Sequence, residues 1–134
     1  MDKYFNSITI ACGIIGGFIC KHLGGWDMLL GVIFTLVILD YLTGVLKAIY
    51  NSRLSSEVGR KGIIRKVFIF IVIATAYEIQ KVIGNTIALR EMVIMFFIAN
   101  EAISLLENAS EFIPIPEQLK NVLIQLRDEK NKYV

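Results

Sequence analysis

Two carboxylates stand in apolar surroundings where an ionised group is costly: Asp40, inside residues 28–46, and Glu101, inside residues 92–106. Residues 28–46 carry no other charge, and Asp40 sits there in Leu39-Asp40-Tyr41-Leu42-Thr43-Gly44. Glu101 follows Asn100, with Ser104 and Asn108 at helical spacing beyond it. A charged side chain at the middle of a bilayer costs about 2.5 kcal/mol or more, so it must face protein or water rather than lipid. The chemistry open to such a set is pairing with a base on another helix, lining a wet path, or holding an ion or a proton. For Asp40 the candidate bases are Arg65 and Lys66 in the following segment and Lys47 two turns along its own helix. The alternative places Asp40 on a conduction path. Catalysis finds no support, because no histidine falls within an apolar stretch and no nucleophile stands beside a base. His22 is the one histidine and it is not clustered with cysteines, so no metal site and no cofactor are expected.

The elements that must position these groups follow from composition. Of 134 residues, 55% are hydrophobic and only 19% charged, with a mean hydropathy of +0.62. An ordinary soluble domain carries about 25% charged residues, so the expected class is one small all-α integral membrane domain. The formal net charge of +2 is small and nothing in its placement points to nucleic acid. Placement matters more than the total, because lysines and arginines in short loops stay in the cytoplasm.

A helix rises about 1.5 Å per residue, so some twenty apolar residues cross the roughly 30 Å hydrocarbon core. Four such segments are expected, over about 4–23, 28–47, 67–84 and 92–109. The first is preceded by a single lysine and lacks a small-x-small cleavage site, so it is expected to be retained. Gly13 and Gly17 form a Gly-x-x-x-Gly pair, and Cys12, Gly16, Cys20 and Gly24 repeat every four residues. Small side chains let helix backbones approach closely in lipid, which makes this a helix-packing face. Cys12 and Cys20 lie about 12 Å apart on one helix, too far for a disulfide within the chain. A bridge between subunits stays open.

Residues 51–66 carry Arg53, Arg60, Lys61, Arg65 and Lys66 against Glu57 alone. With Ser55, Ser56, Gly59 and Gly62 among them, the expectation is a bent cytoplasmic loop that sets orientation and that can also meet anionic lipid headgroups. The connections over 21–27 and 85–91 are nearly neutral and fall on the outer side. Four crossings then put both termini in the cytoplasm. If the first stretch lies on the membrane surface instead, three spans remain and the N-terminus moves outside. Glu78 and Lys81 share a helical face and can pair near the outer interface.

From Asn100 the last span becomes amphipathic: Asn100, Ser104, Asn108 and Glu111 recur every three or four residues, beside Glu101 and Glu107. That suits a wall facing water. Pro114 and Pro116 end the segment. A short cytoplasmic amphipathic helix is then expected over 117–130, with Leu119, Val122, Leu123 and Leu126 on its apolar side and a charged tail over 127–134.

Four features now stand in one order: Asp40-Tyr41-Leu42-Thr43-Gly44, Ser55-Ser56 with the basic stretch 59–66, Asn100-Glu101-x-x-Ser104-x-x-Glu107-Asn108, and Pro114-x-Pro116 before an amphipathic helix. In that order and spacing the chain resembles the toxin-secretion and phage-lysis holin family over nearly its whole length. The resemblance implies a bacterial or prophage protein of the cytoplasmic membrane whose homo-oligomers form lesions that release an endolysin or a large toxin. Its one departure is Phe112 and Ile113, where members often carry a glycine before the Pro-x-Pro element and so a flexible joint. An inhibitor that joins and silences a holin belongs to the same family and reads alike. The alternative outside the family is a small selective ion channel or transporter using Asp40 and Glu101. Against it, the chain has no internal repeat, no filter-like segment and no broken-helix pair.

Overall fold

Helices form wherever apolar residues run without proline, and both prolines fall between helices. The computed structural model describes residues 2–131, with the side chains of 3–125 and of Asp128. Leu126 and most of the charged tail lie outside the described side chains. The elements are α1 (Asp2–His22), α2 (Met28–Tyr50), α3 (Ser56–Val82), α4 (Leu89–Ala109) and α5 (Glu117–Asn131). The described residues hold no other regular element. The all-helical class expected from composition is what the chain adopts.

The principal difference from expectation is the start of α3. The stretch expected as a bent loop over 51–66 is helical from Ser56 onward. Ser55 caps it, its side chain accepting the Val58 N–H at 3.2 Å, and Glu57 in the first turn pairs with Lys61 at 2.8 Å. Gly59 and Gly62 lie within the helix without breaking it, and Gly62 makes room for Tyr41. A Cβ at Gly62 would lie 3.2 Å from Tyr41 Cε2. The connection therefore shrinks to 51–55, and Arg60, Lys61, Arg65 and Lys66 ride on a helix of 27 residues, about 40 Å long.

α4 is the hub, packing on α2, α3 and α5. It runs parallel to α2 and antiparallel to α3, so Asp27 meets Arg90 at one end while Lys47 meets Glu111 at the other. Between these ends Leu30, Ile33, Val37, Ile69, Ile73 and Ile94 form the buried apolar core. Large apolar side chains elsewhere face outward, Tyr4, Phe5, Ile14 and Phe68 among them. Such a surface is foreign to a water-soluble domain and suits lipid. Residues 3–22 and helix α2 are each long and apolar enough to cross a membrane. α3 and α4 hold charged groups within their length, Lys66 and Glu101 first among them.

α1 stands apart from this hub. Residues 3–19 are exposed all round, and a Cβ added at Gly13, Gly16 or Gly17 would meet nothing within 4 Å. Among the described residues, Gly13, Gly16 and Gly17 of the face that was expected to pack find no close neighbour, while Cys20 at its end is half-buried and Gly24 lies against Arg90. Among the described residues α1 is tied down at its end, by Leu23 just beyond it in the core and by His22 Nδ1, 3.0 Å from Glu78 Oε1.

Candidate functional site

Helical periodicity turns Asp40, Lys66 and Glu101 inward from α2, α3 and α4 at one level of the bundle. The Lys66 ammonium donates to Asp40 Oδ2 and to Glu101 Oε2. Asp40 and Glu101 are buried and Lys66 nearly so. Of the bases the sequence offered to Asp40, Lys66 takes the place. Arg65 is exposed, and Lys47 pairs instead with Glu111 at 2.9 Å. Lys47 and the amide of Asn51 together hold the Glu111 carboxyl below its ordinary range.

Asn108, two turns beyond Glu101, completes the cluster. Its Nδ2 donates to Asp40 Oδ1 at 3.1 Å and to Thr43 Oγ1 at 3.2 Å, and the Thr43 hydroxyl in turn donates to Leu39 O at 2.9 Å. Gly44 lies under the same amide: a Cβ there would sit 3.6 Å from Asn108 Nδ2. Alanine would fit that space, while a longer side chain would push Asn108 away. Asp40, Thr43, Gly44, Glu101 and Asn108 are thus brought together. Asn100 and Ser104 stand beside them, half-buried, on the wall of a groove of about 790 Å³ between α2, α3 and α4.

The groove's charge is not balanced. Asp40, Glu101 and Glu107 line it with Arg65 and Lys66, three acids against two bases. Arg53, Arg60 and Lys61 are exposed near the same end of the bundle, whereas Lys66, grouped with them by sequence, is withdrawn into the core. Cys20 lines a second, apolar cavity of about 570 Å³ with Leu30, Phe34 and Phe70. Where the glycine joint is absent, Phe112 meets Tyr50 edge to face with ring centroids 5.1 Å apart, fastening the end of α4 to α2.

The opposite end holds a cluster that sequence reasoning missed. Arg90 is only 2% exposed, and all five of its guanidinium N–H groups have acceptors. Nε donates to Leu23 O, Nη1 to Asp27 Oδ2 at 2.7 Å and to Glu91 Oε1 at 3.3 Å, and Nη2 to Gly25 O and Asp27 Oδ1 at 3.3 and 3.2 Å. Its own backbone N–H donates to Gln80 Oε1 at 2.8 Å. Asp27 also caps α2, accepting the Leu30 N–H at 2.9 Å. The Arg90 guanidinium holds the Asp27 carboxyl below its ordinary range. Gly24, at φ +91°, can be nothing larger, since a Cβ there would fall 2.5 Å from Arg90 Nε. The available signal was an acid and an arginine flanking two predicted spans, but charges at span ends are ordinary and gave no reason to join these two.

Comparison with known proteins decides the lineage. A family model described as the bacteriophage holin family matches residues 17–128. The chain belongs to the bacteriophage holin family. Among relatives of this holin-family protein, an uncharacterised 14.9 kDa protein of Clostridium perfringens is 36% identical over 97% of this chain and 100% of its own. A protein of Halalkalibacterium halodurans is 41% identical over 81% of this chain and 85% of its own. A protein of Bacillus phage phi105 named as a probable holin is 30% identical over 96% of this chain and 90% of its own. No solved structure matches the chain. The matched span begins within α1 and contains both polar clusters in full.

Proposed function

We propose that this chain is a holin: a multi-pass protein of the bacterial cytoplasmic membrane that self-assembles into lesions through which an endolysin or a large toxin leaves the cell. The observation that carries the proposal is the holin-family match over 17–128. The fold agrees with it physically. Four helices of 21 to 27 residues are each long enough for a hydrocarbon core of roughly 30 Å. The end bearing Arg53, Arg60, Lys61 and Arg65 is the cytoplasmic one under the positive-inside rule, which puts α5 and both termini on that side. An acid-rich groove open at the side of a membrane bundle cannot face lipid at low cost. Self-assembly removes it from lipid, by covering it with another copy or by turning it toward water. No catalytic step is required, and the partners are further copies, the lipids and the released cargo.

Inducing the protein in bacteria, or reconstituting it in vesicles, and following release of markers of graded size tests this. A holin passes folded proteins. Release confined to ions would overturn the proposal in favour of the selective channel.

A further inference from the structure

The groove between α2, α3 and α4 is open, polar on its floor and short of positive charge. Asp40 and Glu101 share one ammonium, and Glu107 lies exposed at the rim. On the other side of the bundle α3 presents the complement. At about 100° per residue, Arg60 lies half a turn around α3 from the buried Ile69. Ile63 and Val67, both 52% exposed, continue the same face one and two turns along. Groove and ridge therefore look in roughly opposite directions from one chain, one acid-rich and the other basic with an apolar edge.

Their depths agree as well. Lys66 touches Glu101, and α3 and α4 are antiparallel. Arg60 is six residues before Lys66 and Glu107 is six residues after Glu101, so each lies about 9 Å beyond that contact toward the same end of the bundle. Copies inserted side by side in one orientation meet at equal depth. Surfaces on opposite sides of a subunit that complement one another give a head-to-tail contact, which propagates into closed rings or open arcs.

We infer that the groove is the docking site for a second copy of this chain, whose α3 ridge at Arg60, Ile63 and Val67 covers it with Arg60 against Glu107. The inference rests on the self-assembly proposed above and specifies its interface. It gives Asn100 and Ser104 a place at a subunit contact, and it supplies the groove with the positive charge it lacks.

The test uses the full chain in membranes with Cys12 and Cys20 replaced by serine. One copy carries Arg60→Cys and a second, differently tagged copy carries Glu107→Cys. The native side chains are long, so a flexible thiol-to-thiol cross-linker is used rather than direct oxidation, which demands Cα atoms within about 7 Å. Mixed-tag dimers several-fold above same-variant dimers are expected. In parallel, Glu107→Arg and Arg60→Glu each weaken assembly, and the chain carrying both restores it. Cross-linking only between identical variants means a symmetric interface and overturns the inference. So does free reaction of Asn100→Cys with a membrane-impermeant thiol reagent in the assembled state, which means that water fills the groove. If the serine background assembles by light scattering in nanodiscs and yet neither mixed dimers nor charge-swap rescue appear, the interface is wrong while self-assembly stands. If that background and the native chain are both monomeric, self-assembly itself fails and the inference falls with it.

Discussion

The two ends of α4 hold charge in opposite ways. At its N-terminus one cation, Arg90, is fully served: two carbonyls of the 23–25 turn, the Asp27 carboxylate and Glu91 take all five donors. Two turns before its C-terminus, around Glu101, one cation serves two carboxylates, and a third acid, Glu107, stands at the groove rim without an ion pair among the described residues, although Arg65 lines the same groove. Every guanidinium donor of Arg90 is met within a single chain, although Glu91 Oε2 in the same cluster is buried without a hydrogen-bond partner among the described residues. The cluster joins elements adjacent in the bundle, so it reads as a fastening. The Lys66 cluster is left with surplus negative charge and an open side, so it reads as a surface awaiting something. The same helix thus carries one cluster whose cation is fully served and one whose cation is shared between two acids.

The sharpest way to break this contrast is at Lys66. Lys66→Met leaves Asp40 and Glu101 facing each other, buried at the floor of the groove with no base between them. Removing one partner of a buried ion pair costs about 3–5 kcal/mol, and here two acids lose the same base. The expected result is a loss of that size in detergent or nanodisc unfolding. Lys66→Met combined with Asp40→Asn and Glu101→Gln should recover most of the loss, because no charge is then left buried. If Lys66→Met unfolds like the native chain, the cluster does not hold the three helices together.

At the other end Arg90→Lys keeps the charge and removes the fork. A lysine ammonium cannot satisfy two carbonyls and a bidentate carboxylate at once, so Leu23 O or Gly25 O loses its donor. A buried acceptor left unpaired costs about 1–3 kcal/mol. Faster proteolysis within 23–27 should accompany that loss, because the turn is what Arg90 holds. Equal stability of Arg90→Lys and the native chain would mean that charge alone suffices and that the fork geometry is incidental.

How much of this was legible beforehand differs between the two ends for a physical reason. A carboxylate in the middle of an apolar run is conspicuous, and Asp40 and Glu101 announced a need for partners that Lys66 then met. Asn108 and Thr43 were legible through helical spacing. The identity of the base was not, because choosing among Lys47, Arg65 and Lys66 depends on whether α3 begins at Ser56 or later. Once the Ser55 cap starts the helix early, Lys66 falls on the buried face with Ile69 and Ile73 and Arg65 falls outside it. Arg90 was hidden for the opposite reason. A charge at the edge of a span satisfies every local rule, and only the parallel alignment of α2 and α4, a long-range property, brings it onto the 23–27 turn. The glycines of α1 were plain in sequence, but a small-residue face does not say whether its partner lies in the same chain, and none of the described residues packs on Gly13, Gly16 or Gly17.

The smallest expected effect concerns Asp27 and sharpens the same contrast. Its side chain is partly exposed, so the Arg90 pair is screened by water and contributes modestly. The Asp27 carboxyl titrates below its ordinary value of 3.8 in the folded chain, chiefly through its hydrogen bonds from Arg90. A lowered folded pKa means that the pair's stabilisation is fully present above the unfolded value and is lost as pH falls through the folded one. Between about pH 4 and lower, the native chain should therefore lose stability more steeply than Asp27→Asn, and above that range the two curves should run parallel with the native chain more stable. Protonation of Asp27 leaves Arg90 with the Glu91 contact at 3.3 Å as its remaining carboxylate, so the cluster opens at the turn first. The protection of the Leu30 amide, which Asp27 caps, against hydrogen exchange relative to its intrinsic rate should fall over the same pH interval. If that protection stays constant throughout, Arg90 holds the turn through the Leu23 and Gly25 carbonyls, and the carboxylate is dispensable to the fastening.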